Sequence, residues 1–192
     1  VIIVAGGTIR INDAGESCPD WPQCFGTWGF DISVDEQTTY WEANPEEIDS
    51  RGADHRYTTF EIFTEWIHRA MVGVIALPVL LNALLLRSKR STYGERAYKL
   101  AFFAGIMLIL QATAGALTVF YDNADWSVAL HLSMACVFSA VFIFQHMEMR
   151  SKEGSTHPLY HLPKAFIAAN KRRVHAMVGS VFTLLILGAW VS

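Results

Sequence analysis

Charge is scarce in this sequence. Only 17% of its 192 residues are Asp, Glu, Lys or Arg, against about 25% in an ordinary soluble domain. No basic excess exists either: 15 Lys and Arg against 18 Asp and Glu leave a formal net charge of −3, so nothing suggests a nucleic-acid partner. Cysteine is nearly absent, with three residues, too few for a disulfide framework. What is abundant is apolar residues, at 52%. That balance argues against a soluble globular enzyme and excludes a disordered chain. The first residue is Val1, and the last residues, Trp190-Val191-Ser192, follow directly on an apolar run. The chain is therefore expected to be a piece of a longer protein, cut inside hydrophobic segments at both ends.

A bilayer core requires about 20 mostly apolar residues per helix. Three complete spans are predicted, from about Trp66 to Leu86, Leu100 to Tyr121 and Trp126 to Met147. A fourth, from Val174, runs to the end of the sequence, and Val1 to Ala5 reads as the tail of an earlier helix, with a signal-peptide remnant as the alternative. The expected division is the end of a first span (1–5), a loop (6–63), a second span (64–86), a loop (87–99), a third span (100–121), a turn (122–125), a fourth span (126–147), a loop (148–173) and a truncated fifth span (174–192). The fold class is all-α, a transmembrane four-helix bundle.

Loop charge gives the orientation. Arg87, Lys89, Arg90, Arg96 and Lys99 crowd one loop, and Arg150, Lys152, Lys164, Lys171, Arg172 and Arg173 another. The segment from Arg10 to Thr64 has three basic residues (Arg10, Arg51, Arg56) and twelve acids. Lys and Arg mark the cytoplasmic side, so the two basic loops are expected on the cytoplasmic side of a cell membrane, and the acidic loop and the short turn 122–125 on the outer side.

On that topology the second and fourth spans run in the same direction. His68 lies nineteen residues before Arg87, and His131 nineteen before Arg150. At 1.5 Å per residue both imidazoles stand roughly 28 Å from the cytoplasmic boundary. Ionisable groups within membrane helices are costly and mark function, and imidazole is a common axial ligand of haem iron. The alternatives are headgroup-level placement or hydrogen bonding within the bundle. Glu65, three residues before His68, shares its helix face; it can orient the imidazole, accept a proton or contact a substrate, or else snorkel outward or pair with Arg69. Met71, Val72, Ile75 and Ala76 below His68, and Met134, Ala135 and Phe138 below His131, would suit a large apolar ligand or ordinary packing. Pro78 is expected to kink its helix. Ala101, Gly105, Ala112 and Ala116 suit close helix contact, Gln111 is expected to hydrogen-bond across the bundle, and Cys136 reads as an inert packed thiol.

Cys18 and Cys24 lie in the acidic loop, within GESCPDWPQCFG. On an oxidising side a disulfide is their natural state. It serves as a structural staple or as a redox-active pair. Zinc is disfavoured, since His55 is the loop's only further soft ligand.

Taken together these residues resemble the heme A synthase family. The likeness begins at Gly6-Gly7-Thr8-Ile9-Arg10 and continues through Gly15-Glu16-Ser17-Cys18-Pro19-Asp20-Trp21-Pro22-Gln23-Cys24. Glu65-Trp66-Ile67-His68-Arg69 is similar to the family's Glu-x-x-His-Arg, and Gln111 to Val119 and His131-Leu132 are similar to its third and fourth helices. The resemblance implies an eight-helix protein of two four-helix halves that oxidises a ring methyl of heme O to the formyl group of heme A for terminal oxidase maturation. It implies that this chain is the first half and the opening of the second. His68 and His131 would be the haem ligands of that half and Glu65 the catalytic carboxylate. Cys18 and Cys24 would form a disulfide that takes part in electron delivery. Heme b would be the cofactor of the second half. Membrane lipid surrounds such a protein, and heme O synthase and an electron donor are the implied partners.

Two features depart from the family. The acidic stretch from about Phe30 to Thr59 lengthens the first loop and reads as a surface elaboration. His175 matches no family ligand. Three rival readings remain. A di-haem b-type cytochrome would use His146 and His175 near the cytoplasmic boundary, His146 standing roughly 22 Å along the helix from His131. A thiol-oxidising protein would use Cys18 and Cys24 but lacks a second exchanging pair. A non-catalytic haem-binding assembly factor would keep the histidines and tolerate loss of Glu65.

Overall fold

A computed structural model describes residues 1–154 and 163–191; positions 155–162 of the second basic loop, and Ser192, lie outside the described residues. The described residues form six α-helices, α1 (Ile2–Ile11), α2 (Val34–Ala43), α3 (Thr59–Ser88), α4 (Arg90–Phe120), α5 (Asp125–Lys152) and α6 (Lys164–Val191), with one 3₁₀ turn, Pro45–Glu47. No strand occurs among them, as an all-α fold requires. Of these, α3, α4 and α5 are long and apolar enough to cross a membrane. At 1.5 Å per residue they extend about 42–46 Å, more than a hydrocarbon core of about 30 Å. Their apolar side chains are largely unburied: Val74, Leu77, Leu80, Leu81, Leu84 and Leu85 of α3 are exposed. Such a surface requires an apolar solvent.

Two compact units divide the chain, Val1–Ala76 with Ala112–Val128, and Leu77–Gln111 with Ala129–Val191. The first contains α1, whose helix continues through Gly6 and Gly7 to Ile11, and the whole loop between α1 and α3. Ser33 and Glu36 cap α2 reciprocally, the Glu36 N–H donating to Ser33 Oγ and the Ser33 N–H to Glu36 Oε2. Thr58 and Glu61 repeat this capping box at the start of α3. The acidic stretch is more than a surface elaboration. Its apolar residues Ile32, Trp41 and Tyr57 join Cys18, Cys24, Phe25 and Ile62 in one buried cluster, each large side chain contributing about 1.5–3 kcal/mol. The buried Gln37 amide ties α2 to the chain before α3: Nε2 donates to the Ile32 and Tyr57 carbonyls, and Oε1 accepts from the Tyr57 N–H. The carboxylates stay on the outside of this core. Phe30 packs on Phe63 and Trp66 of α3 at 5.0 Å between ring centroids.

In the second unit Leu86, Ala97 and Ala101 form a core with Ala83, Tyr93, Tyr98 and Met149 packed around it. Ala97, Ala101 and Ala104 are fully buried, so small residues do permit close contact along α4. Gly105 is not part of that contact, because a Cβ there would meet nothing within 4 Å. Near its start α4 is broken at Gly94 (φ 87°, ψ 163°), a conformation that glycine alone adopts without strain. Asn82 and Gln145 exchange two amide hydrogen bonds, of 3.1 and 2.8 Å, between α3 and α5.

Candidate functional site

The disulfide loop is built on a tight reversal. Cys24 and Thr27 exchange backbone hydrogen bonds around Phe25 and Gly26, both in the left-handed region (φ 51° and 71°). Gly26 suits that geometry, and Phe25 is held there by its ring, buried against Tyr40 and Trp41. Cys18 and Cys24 are joined by a disulfide, as their place in the sequence led us to expect.

Beneath this loop lies the second turn of α3. Glu65 is buried, and its carboxylate is surrounded by donors. Oε2 accepts from the Cys18 N–H at 2.9 Å and Ser17 Oγ at 3.1 Å, and Oε1 accepts from Arg69 Nη2 at 2.5 Å. Ser17 Oγ also reaches the carbonyls of Ala14 and Glu61. Of the readings open for Glu65, outward snorkelling is excluded and the ion pair with Arg69 is formed. Charge-assisted bonds of this kind hold a buried carboxylate where a neutral side chain would not need holding. Ser17 has no chemical mark of its own in the sequence. Its signal was adjacency to Cys18 within the same motif.

His68 lies one turn below Glu65. Its ring lies against α1: a Cβ on Gly6 would stand 3.4 Å from His68 Cε1, in ordinary van der Waals contact. The Nδ1 atom of His68 is buried and has no hydrogen-bond partner. A buried imidazole nitrogen without a partner is costly and is the donor type that haem iron takes; to this extent His68 fits a haem. Met71, Val72 and Ile75 below it are half-buried, and Ala76 is exposed.

In the second unit Gln111 of α4 bonds across to His131 of α5. Its Nε2 donates to the His131 carbonyl at 2.9 Å and stands 3.1 Å from ring Nδ1. The same amide stands 3.4 Å from ring Nε2, so Gln111 contacts both ring nitrogens and the backbone of His131 and holds the ring in place. Met134, Ala135 and Phe138 are half-buried. Cys136 is a half-buried free thiol. His146 and His175 are exposed on α5 and α6, and no group of three or more His, Cys, Asp or Glu arranged to hold a metal ion occurs among the described residues.

Long apolar helices joined to a disulfide-stapled loop domain define a multi-pass membrane protein. The chain belongs to the COX15-CtaA family of cytochrome oxidase assembly proteins, which it matches over residues 1–192. It is 26% identical over 199 residues to a heme A synthase of Shewanella oneidensis, covering 100% of this chain and 53% of that protein. Identity to a heme A synthase of Lysinibacillus sphaericus is 25% over 194 residues, covering 97% and 51%. A heme A synthase of Exiguobacterium sibiricum is 26% identical over 156 residues, covering 80% and 43%. The chain thus spans about half the length of the curated relatives it matches. No solved structure matches it.

Proposed function

We propose that this chain is the substrate-binding half of a membrane oxidoreductase that makes heme A for cytochrome oxidase, by oxidising a ring methyl of heme O to a formyl group. The observation that carries the reading is similarity along this whole chain to about half the length of heme A synthases, in a chain whose His68 keeps its buried Nδ1 without a hydrogen-bond partner. His68 and His131 are the axial ligands in this proposal, each nineteen residues before the first basic residue of the loop that follows its span. When bound, the haem iron supplies the oxidising chemistry at the ring. The chain's own residues do the rest. The imidazoles fix the macrocycle's position, Gln111 orients His131, and the apolar residues below each histidine exclude water. Glu65 is the proton-handling carboxylate, its oxygens held by Ser17, Cys18 and Arg69. The Cys18–Cys24 disulfide lies on the extracytoplasmic side and takes part in electron delivery, the basic loops facing the cytoplasm. Heme b in the second half, a heme O synthase and an electron donor complete the scheme.

The test is conversion. Membranes containing the full-length protein and a heme O supply should yield heme A on chromatography of extracted haems. Glu65→Ala should retain haem and stop conversion, whereas His68→Ala or His131→Ala should disturb haem binding in this half. A fully active Glu65→Ala would remove the role assigned to that carboxylate. Two low-spin haems with no conversion of heme O would favour the di-haem cytochrome instead.

A further inference from the structure

Arg69 does more than pair with Glu65. Its Nη1 donates to the carbonyls of Asp20 and Gln23, and its Nη2 to the carbonyl of Cys18 at 2.7 Å. All three acceptors belong to the loop closed by the disulfide, whose cysteines are six residues apart. From the other side Glu65 holds both the Cys18 N–H and the guanidinium. The loop is therefore wrapped around one cation, itself fixed to α3. The two half-cystines beneath are buried, Cys18 at 0% and Cys24 at 1% exposure, while Trp21 at the loop's centre is 50% exposed.

We propose that Arg69 is a positioning residue that holds the 18–24 loop in its closed form and thereby sets how readily the Cys18–Cys24 bond is reduced. Three carbonyl oxygens aimed at one place repel each other unless a donor sits among them. A planar guanidinium offers five donors in a fixed fork, which suits several backbone acceptors and a carboxylate at once. Opening the disulfide frees the Cys24 end of the loop, so the bonds to Asp20 and Gln23 are those lost on relaxation. Arg69 consequently favours the oxidised form. It also limits access, because a reductant meets the buried sulfurs only after the loop loosens. The reaction is thiol–disulfide exchange. The Cys18–Cys24 bond breaks, two electrons and two protons pass to its sulfurs, and the donor dithiol closes to its own disulfide. Nothing in this inference rests on haem ligation.

The experiment equilibrates the full-length protein in detergent with mixtures of reduced and oxidised dithiothreitol. Free thiols at Cys18 and Cys24 are then alkylated and counted by mass spectrometry. Arg69→Met should shift the equilibrium toward the dithiol about tenfold, or about 30 mV, because charge-assisted bonds are lost from one form only. Arg69→Lys keeps the charge but not the fork and should shift it less, about threefold. Gln37→Ala, which loosens α2 but removes no hydrogen bond to the 18–24 loop, should leave it within about twofold. An unchanged equilibrium in Arg69→Met overturns the proposal, as does an equal shift in Gln37→Ala, which would mean general loosening. Should Arg69→Met not accumulate, Arg69→Lys decides, and an unchanged value there is equally fatal. Heme A formation is read separately, so failure here leaves the haem reading standing.

Discussion

Burial pushes the Glu16 carboxyl above its ordinary value of 4.5, with Asp49 and Asp122 adding repulsion and the Ser50 hydrogen bond and Arg51 opposing. A carboxyl raised in the folded state stabilises most below its ordinary value. That contribution is lost as pH rises through the folded value. Hydrogen exchange around Ala14 to Cys18 should therefore quicken as pH rises through that range, beyond the intrinsic rate increase. Glu16→Gln should flatten this excess; an equal excess in the variant would show that another group is responsible. At this scale the sequence was only partly legible. Glu65, His68 and His131 stood out because ionisable groups are rare in apolar runs. Arg69 was visible as a neighbour of Glu65 and as the last residue of the Glu-x-x-His-Arg motif, but its three carbonyl partners were not, since they are backbone atoms of a loop whose path composition does not encode. Ser17 was hidden for the same reason.

Among the elements, the long helices were legible because their apolar runs are long and their caps local. The helices nevertheless run beyond the apolar stretches. Hydropathy marks what meets lipid, whereas a helix ends where its capping changes, as at Thr58 before α3. The acidic stretch reads as surface because α2 sets two buried residues, Gln37 and Trp41, among the exposed charges Asp35, Glu36 and Glu42, and averaging hides so narrow a buried stripe. Asn82 and Gln145 escaped notice as isolated amides in apolar helices, yet each satisfies the other. Asn82→Leu should strand the buried Gln145 amide and destabilise the protein by about 1–2 kcal/mol. Adding Gln145→Leu should recover most of that loss, measured as a double-mutant cycle of unfolding in mixed micelles. Additive losses would mean the amides do not act as a pair.

For the molecule as a whole, composition alone pointed to membrane helices, and order and spacing of motifs pointed to the family that the chain matches along its length. What composition does not reveal is which imidazoles bind iron, because one histidine's depth in a helix looks the same whether it ligates, bonds a neighbour or reaches headgroups. The proposed ligation makes both histidines serve one iron. Low-temperature electron paramagnetic resonance of the full-length protein tests this directly. His68→Ala and His131→Ala should each remove the same low-spin haem signal, and the double variant should remove no more than either alone. Loss of two different signals, or of none, would contradict a shared haem.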